Sequence, residues 1–333
     1  MNPAALQEQT IQAILQTTWG TADRLRLGAH ARPAIADGEV LIRVRAAGMD
    51  RGTWHLMAGK PYIVRLALGF TGPRNPVPGL DVAGTVVEVG AAVTRFKVGD
   101  EVFGISKGSF AEFAPAREDK LAKKPANFSF AQAAVTGVSG LTALQALRDA
   151  GRVKAGQSVL IIGASGGVGS YAVQLARALG AEVTGVCSST KVELVRSLGA
   201  SHVIDYAKQD FASSTQRFDL ILDIGGNSPL ARLRRVLTPT GTIVFVGGED
   251  GGALTGGMDR QLGALLRSLF TQQRFVMKVP NENAADLEVL RELAESGKFV
   301  PAIDSTWSLA QVPDAMRHLV AGKVAGKIAI TVG

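Results

Sequence analysis

The stretch SVLIIGASGGVG, residues 158–169, runs from the apolar Val159 to Ile162 directly into a glycine-rich turn. Set against the template G-x-G-x-x-G, Ala164 stands in place of the first glycine, while Gly166 and Gly169 match the second and third. Val168, Ala172, Leu175, Ala176 and Leu179 then recur at helical spacing, and Gly180 follows as a stop. Apolar strand, glycine turn and helix in this order predict the first βαβ unit of a dinucleotide-binding domain. In that setting Gly166 lets the main chain approach a pyrophosphate and Gly169 lets helix and strand pack closely. The turn Ser165, Gly166, Gly167, Val168 and Gly169 would then offer free N–H groups at the positive end of the helix dipole to the phosphates. A glycine turn without a ligand is the bland alternative.

Around this turn, from about residue 156 to 248, short β-rich runs alternate with amphipathic stretches, the pattern of a parallel sheet with crossover helices. The expected strands are 158–164, 182–187, 202–206, 220–225 and 242–247. An NAD enzyme normally carries Asp or Glu about 20 residues beyond the glycines, on the ribose of the adenosine. Here the second strand runs into Val186, Cys187, Ser188, Ser189, Thr190 and Lys191, with no acid before Glu193. A carboxylate would repel a 2'-phosphate, whereas hydroxyls and a lysine would bind it. The expectation is NADPH, with Ser188 and Lys191 on the phosphate; a merely solvated Lys191 is the alternative.

The first 130 or so residues are of another kind, with β-like runs at 39–46 and 82–89 separated by turn-rich pieces. The tail adds an expected helix at 284–296, a strand near 299–303, a helix near 311–321 and a last strand at 327–332. The resulting expectation is α/β: a doubly wound Rossmann sheet over 131–282 and a β-rich domain built from 1–130 and 283–333. The length of 333 residues suits two domains at roughly 100–200 residues each.

With 46% hydrophobic and 20% charged residues, the composition is that of an ordinary globular protein. The net charge of +7 comes from scattered basic residues, which argues against nucleic acid and suits an anionic small molecule such as a phosphorylated cofactor. One cysteine, Cys187, excludes an internal disulfide and any zinc site needing two thiolates of one chain. The start MNPAALQEQT lacks the basic and apolar regions of an export signal, and apolar runs such as 159–162 fall far short of the ~20 residues of a membrane span. A cytoplasmic location without membrane partners is the expectation.

Together, VLIRVRAAGMD (40–50), VPGLDVAGTVVEVG (77–90), FKVGDEVFG (96–104), GLTALQAL (140–147), the glycine turn, LGASHVIDY (198–206) and GKIAITV (326–332) resemble a medium-chain dehydrogenase/reductase of the zinc-free, quinone oxidoreductase-like branch. The resemblance implies a GroES-like catalytic domain at both ends of the chain, a cofactor whose nicotinamide faces it, and a homodimer. It also implies Thr142 near the pyrophosphate, Tyr206 near the adenine and its phosphate, and Lys327 near the nicotinamide half. Gly225, Asn227, Val246 and Gly247 end strands where such sheets bind ligands.

Zinc-dependent relatives carry Cys-Gly where this chain has Ala47-Gly48, and Gly-His-Glu where it has Gly79-Leu80-Asp81. Alanine and leucine offer no lone pair to a metal, so no metal site is expected. Without a Lewis acid, reduction of an electron-poor acceptor is the natural chemistry: a quinone or an α,β-unsaturated carbonyl as the small-molecule electrophile. On the substrate side, Asp50 and Thr53 stand where relatives often read Asn-x-x-Asp, and Tyr62 has a hydroxyl to offer an oxyanion. A zinc-free alcohol dehydrogenase, or a non-catalytic NADPH-binding protein, are the competing readings.

Overall fold

A computed structural model describes residues 10–226, 228–247, 271–277 and 280–333. In chain order its strands are β1 Thr10–Leu15, β2 Arg26–Ala31, β3 Glu39–Met49, β4 Asp81–Val89, β5 Glu101–Ile105, β6 Phe113–Arg117, β7 Leu121–Lys123, β8 Ser158–Ile162, β9 Glu182–Cys187, β10 His202–Asp205, β11 Phe218–Asp223, β12 Leu237–Phe245, β13 Arg274–Met277, β14 Ile303–Ser308 and β15 Lys327–Thr331. Its helices are α1 Arg51–Ala58, α2 Arg65–Leu68, α3 Phe130–Ala134, α4 Gly137–Gln145, α5 Gly167–Ala178, α6 Val192–Ser197, α7 Leu230–Arg235, α8 Ala284–Glu295 and α9 Val312–Val320. The chain divides into two compact units, Met1–Val138 with Glu282–Gly333, and Ser139–Asn281.

The first unit is built on a seven-stranded sheet of order β14-β15-β3-β4-β5-β7, with β6 also paired to β3. β3 is its spine: Val40, Ile42 and Val44 are buried while Arg43 and Arg45 point outward, the two-residue alternation of a half-buried strand. β4 and β15 flank it antiparallel, pairing Val82 with Ala47 and Ile328 with Met49. Against this core α9 lays Val312, Ala315, Met316 and Leu319, all buried, at the i, i+3, i+4, i+7 spacing of one helix face. The tail strand lies later than the expected 299–303. Phe299 instead packs edge-on against Phe128, 5.9 Å between ring centres, and the alternating run from Ile303 to Ser308 pairs with β15.

The second unit is a six-stranded sheet of order β10-β9-β8-β11-β12-β13, parallel throughout. Its strands are near-continuous apolar runs, as a sheet covered on both faces requires. The α/β architecture, a doubly wound sheet in one unit and a β-rich domain in the other, is therefore as expected. Strand β13 is an addition: Arg274–Met277 is too short to stand out in the sequence and is fixed by parallel pairing with Thr242–Phe245. The chain order of the strands reverses between β8 and β11, which puts the ligand-binding crevice of such a sheet at their carboxyl ends.

Candidate active site

At that crevice the main chain turns sharply after β8. The N–H groups of Gly163 and Ala164 both donate to the Val186 carbonyl at 3.1 Å, and those of Ile224 and Gly225 donate to the Ile162 carbonyl at 3.1 and 3.2 Å. Val246 and Gly247 close the edge by donating to the carbonyl of Asp223. The glycines of the turn do two different jobs. A Cβ on Gly169 would lie 2.1 Å from the Gly163 carbonyl oxygen, so this glycine is dictated by the fold itself. A Cβ on Gly166 would meet only that oxygen, at 3.5 Å, an ordinary contact. Protein packing leaves Gly166 free, and the open space above it is a cradle that a side chain would fill. Gly166 also begins α5 with no side chain capping it, so the N–H groups of the first turn present the positive end of a twelve-residue helix. This geometry fits a pyrophosphate.

Beside the turn, β9 ends at Cys187 and β10 ends opposite it at Asp205. Tyr206 donates its N–H to the Cys187 carbonyl at 3.1 Å and leaves its ring 63% exposed, next to Ser188 and the 3₁₀ turn Ser189–Lys191. The structure thus gathers Ser188, Lys191 and Tyr206 at one edge. It adds a residue that reading along β9 missed: Asp205 accepts a 2.6 Å hydrogen bond from the Ser189 hydroxyl. An acid is therefore present, supplied by the next strand rather than by β9. Ser189, the Ala207 N–H and Lys208 hold its carboxyl below the usual carboxylate range, so its charge is already engaged. Thr142 is buried in α4, and Asn227 lies outside the described residues.

In the first unit the register of β15, β3 and β4 assembles a second cluster. Because Ile328 pairs with Met49 and Val82 with Ala47, the neighbouring Lys327, Asp50 and Asp81 converge at one end of the three strands. The Lys327 ammonium is fully buried, 2.7 Å from Asp50 Oδ2 and 3.2 Å from Asp81 Oδ2. Asp50 Oδ1 caps α1 by accepting from the Thr53 N–H at 3.1 Å and the Thr53 hydroxyl at 3.4 Å. Asp81 Oδ1 accepts from the Val138 N–H in the first turn of α4 at 2.7 Å. Burial pushes the Asp81 carboxyl up to about 6, with the Lys327 charge and the Val138 N–H pulling down and the like charge of Asp50 adding to the rise.

Of the three residues expected on the substrate side, Asp50 and Thr53 are joined to each other, and Thr53 is buried. Tyr62 stands apart on a 3₁₀ turn, 41% exposed, with the Arg65 guanidinium 4.5 Å over its ring. Asp81 is the functional candidate that motif reading did not single out. The sequence offers only that a charged residue opens each of two strands, Asp81 in DVAGTVVEV and Lys327 in KIAIT, with nothing to say that the two meet. Ala47 is fully buried in the apolar core. Among the described residues no group of three or more His, Cys, Asp or Glu side chains stands where it could hold a metal, and no helix is long and apolar enough to cross a membrane.

The sequence matches the alcohol dehydrogenase GroES-like domain over residues 36–126 and the zinc-binding dehydrogenase domain over residues 198–330. It is 35% identical over 329 residues to a 2-methylene-furan-3-one reductase of Solanum lycopersicum, covering 94% of this chain and 77% of that one. It is 33% identical over 339 residues to a chloroplastic NADPH-dependent alkenal/one oxidoreductase of Arabidopsis thaliana, covering 96% and 79%. Among solved structures, the quinone oxidoreductase of Coxiella burnetii superposes with a TM-score of 0.82 at 27% identity, over 97% of this chain and all of that one.

Proposed function

Since this chain belongs to the medium-chain dehydrogenase/reductase superfamily, in its quinone oxidoreductase-like branch, and is an oxidoreductase using a nicotinamide cofactor, we propose that it is an NADPH-dependent, zinc-independent reductase of quinones or α,β-unsaturated carbonyls. The observation that carries the reading is the uncapped start of α5 beneath the open space at Gly166, placed at the crevice of a parallel sheet. The N–H groups of Gly167, Val168 and Gly169 bind the pyrophosphate there, with Ser165 and Thr142 beside it. Ser188 and Lys191 receive the 2'-phosphate and Tyr206 lies against the adenine, while Gly225, Val246 and Gly247 line the crevice. When bound, NADPH would supply a hydride, two electrons and one hydrogen, and a proton taken up from water would complete the reduction.

The donor set supports zinc independence. The hydrocarbon side chains of Ala47 and Leu80 give a zinc ion nothing to bind, and the Asp50 and Asp81 carboxylates already hold an ammonium. An acceptor that is already electron-poor suits a site without a Lewis acid. The Tyr62 hydroxyl donates a hydrogen bond to the acceptor oxygen as charge builds on it, its ring steadied by Arg65. Asp50 and Thr53 act one step removed, fixing the start of the helix that leads toward Tyr62, and Lys327 acts through Asp50.

The test is steady-state oxidation of NADPH with a panel of quinones and enones, alongside simple ketones and alcohols. The expected outcome is turnover with at least one quinone or enone, no loss on chelator treatment, and weaker binding of NADH than of NADPH. Turnover confined to alcohols, or dependent on zinc, would sink the proposal.

A further inference from the structure

We propose that residues 60–74 of the first unit form a docking surface for an anionic lipid bilayer, lying in its headgroup region without crossing it. The inference goes beyond the reductase reading, and its test reads lipid binding rather than turnover, so the two can fail separately.

The segment is built inside out. Surface chain normally turns apolar side chains inward and leaves charged ones in water. Here Ile63, Leu66 and Phe70 are 50%, 62% and 74% exposed, with the exposed ring of Tyr62 next to them. The charged residue in their midst, Arg65, faces the other way. Its Nε donates to the Gly59 carbonyl at 2.9 Å and its Nη2 to the Ala58 carbonyl at 3.3 Å, while the guanidinium lies over the rings of Tyr62 and Trp19.

The main chain is equally engaged. Gly69 donates its N–H to the Arg65 carbonyl and Arg74 to that of Leu68, both at 2.9 Å, and the Trp19 indole N–H donates to the Gly69 carbonyl at 3.1 Å. A Cβ on Gly72 would lie 2.0 Å from the Thr17 carbonyl oxygen, so the segment is pressed against residues 17–19. Main-chain bonds and Arg65 hold it in place, and the protruding apolar side chains are left for a partner to bury.

Charge selects that partner. Between Asp50 and Asp81 the chain carries Arg51, Lys60, Arg65 and Arg74 and no acid, and residues 10–22, which include the supporting 17–19, carry none either. Protruding apolar and aromatic side chains set among cations suit an anionic bilayer: the side chains enter the acyl boundary while the cations stay level with the phosphates. Such a segment lies in the interface, so the lack of a run long enough to span a membrane does not bear on it.

The experiment sediments the full chain with vesicles of phosphatidylcholine, alone or with about 30% phosphatidylglycerol. Binding is expected to be at least roughly tenfold tighter to the anionic vesicles and to fall in about 0.5 M salt. The double substitution Leu66→Ser, Phe70→Ser should weaken it at least roughly tenfold while NADPH affinity and the thermal midpoint stay unchanged. Arg74→Glu should weaken binding to the anionic vesicles alone. In Phe70→Trp, brominated lipid should quench emission that it leaves untouched in the unmodified protein. No binding to anionic vesicles, or binding that the double substitution leaves intact, overturns the proposal, the latter because net positive charge alone then suffices. Self-association or capture of a protein partner that the double substitution abolishes, with vesicle binding unchanged, overturns it too.

Discussion

In the second unit the turn after β8 presents main-chain N–H groups to open space above Gly166. In the first unit Asp50, Asp81 and Lys327 are packed so closely that a Cβ at either Gly48 or Gly137 would collide with the Asp81 carboxylate. One arrangement waits for a charged ligand from outside; the other has its counter-ion built in. The difference teaches where each site is vulnerable. An open turn made of main chain changes affinity when altered, whereas a closed set of buried charges changes stability.

The sharpest contrast lies within the turn itself. Gly169→Val drives a side chain into the Gly163 carbonyl and is expected to cost more than about 3 kcal/mol, or to prevent folding, as read by urea unfolding. Gly166→Ala should leave stability within about 1 kcal/mol of the unmodified protein yet weaken NADPH binding at least roughly tenfold in calorimetry. Equal NADPH affinity in that variant would remove the phosphate role from the turn.

Next comes the closed site, through its pH dependence. Asp81 binds its proton more tightly in the folded chain, at about 6, than in the unfolded chain at 3.8. Its protonated form therefore favours folding fully below the unfolded value, and that contribution is lost as the pH rises through about 6. The carboxyl carbon of Asp81 should titrate by NMR with a midpoint near 6, and Asp81→Asn should flatten the stability profile over that interval. A midpoint near 3.8 would mean that water reaches the cluster.

Back in the open site, Lys191→Ala is expected to weaken NADPH by roughly ten- to a hundredfold, the worth of a charged hydrogen bond, with NADH hardly affected. An equal loss for both cofactors would move the 2'-phosphate elsewhere. A smaller effect is expected of Tyr62→Phe: about a tenfold drop in kcat at unchanged KM, since water can partly replace a hydroxyl on so exposed a ring. Least of all, Arg317→Ala breaks the surface pairs with Asp23 and Asp314 and should change stability by less than about 1 kcal/mol. Set beside Lys327, it measures how much burial magnifies an ion pair.

The same contrast explains what could be read from the sequence. The glycine turn is local: strand, turn and helix occupy residues 158–178, and each glycine acts through its neighbours, so spacing alone locates it. The apolar stripe of α9 and the alternation in β3 were legible for the same reason. Asp205 was not, because it reaches Ser189 only after β10 has paired with β9. The Lys327 cluster was further out of reach. Its members are brought together by strand register, and no local pattern in DVAGT or GKIAI says that two charged side chains will share an interior. Strand β13 escaped because four residues carry no periodicity.

The glycine at 137 also bears on the order in which such a protein can be built. A methyl group there would press on Asp81 Oδ1 at 2.6 Å, while its other neighbours stand back at 3.2 Å. Along any path of single substitutions through folded intermediates, glycine must be in place at 137 before a carboxylate arrives at 81. Once both are present, glycine cannot be exchanged at 137 while the carboxylate stays at 81, so a position with no side chain keeps a record of its neighbour's history.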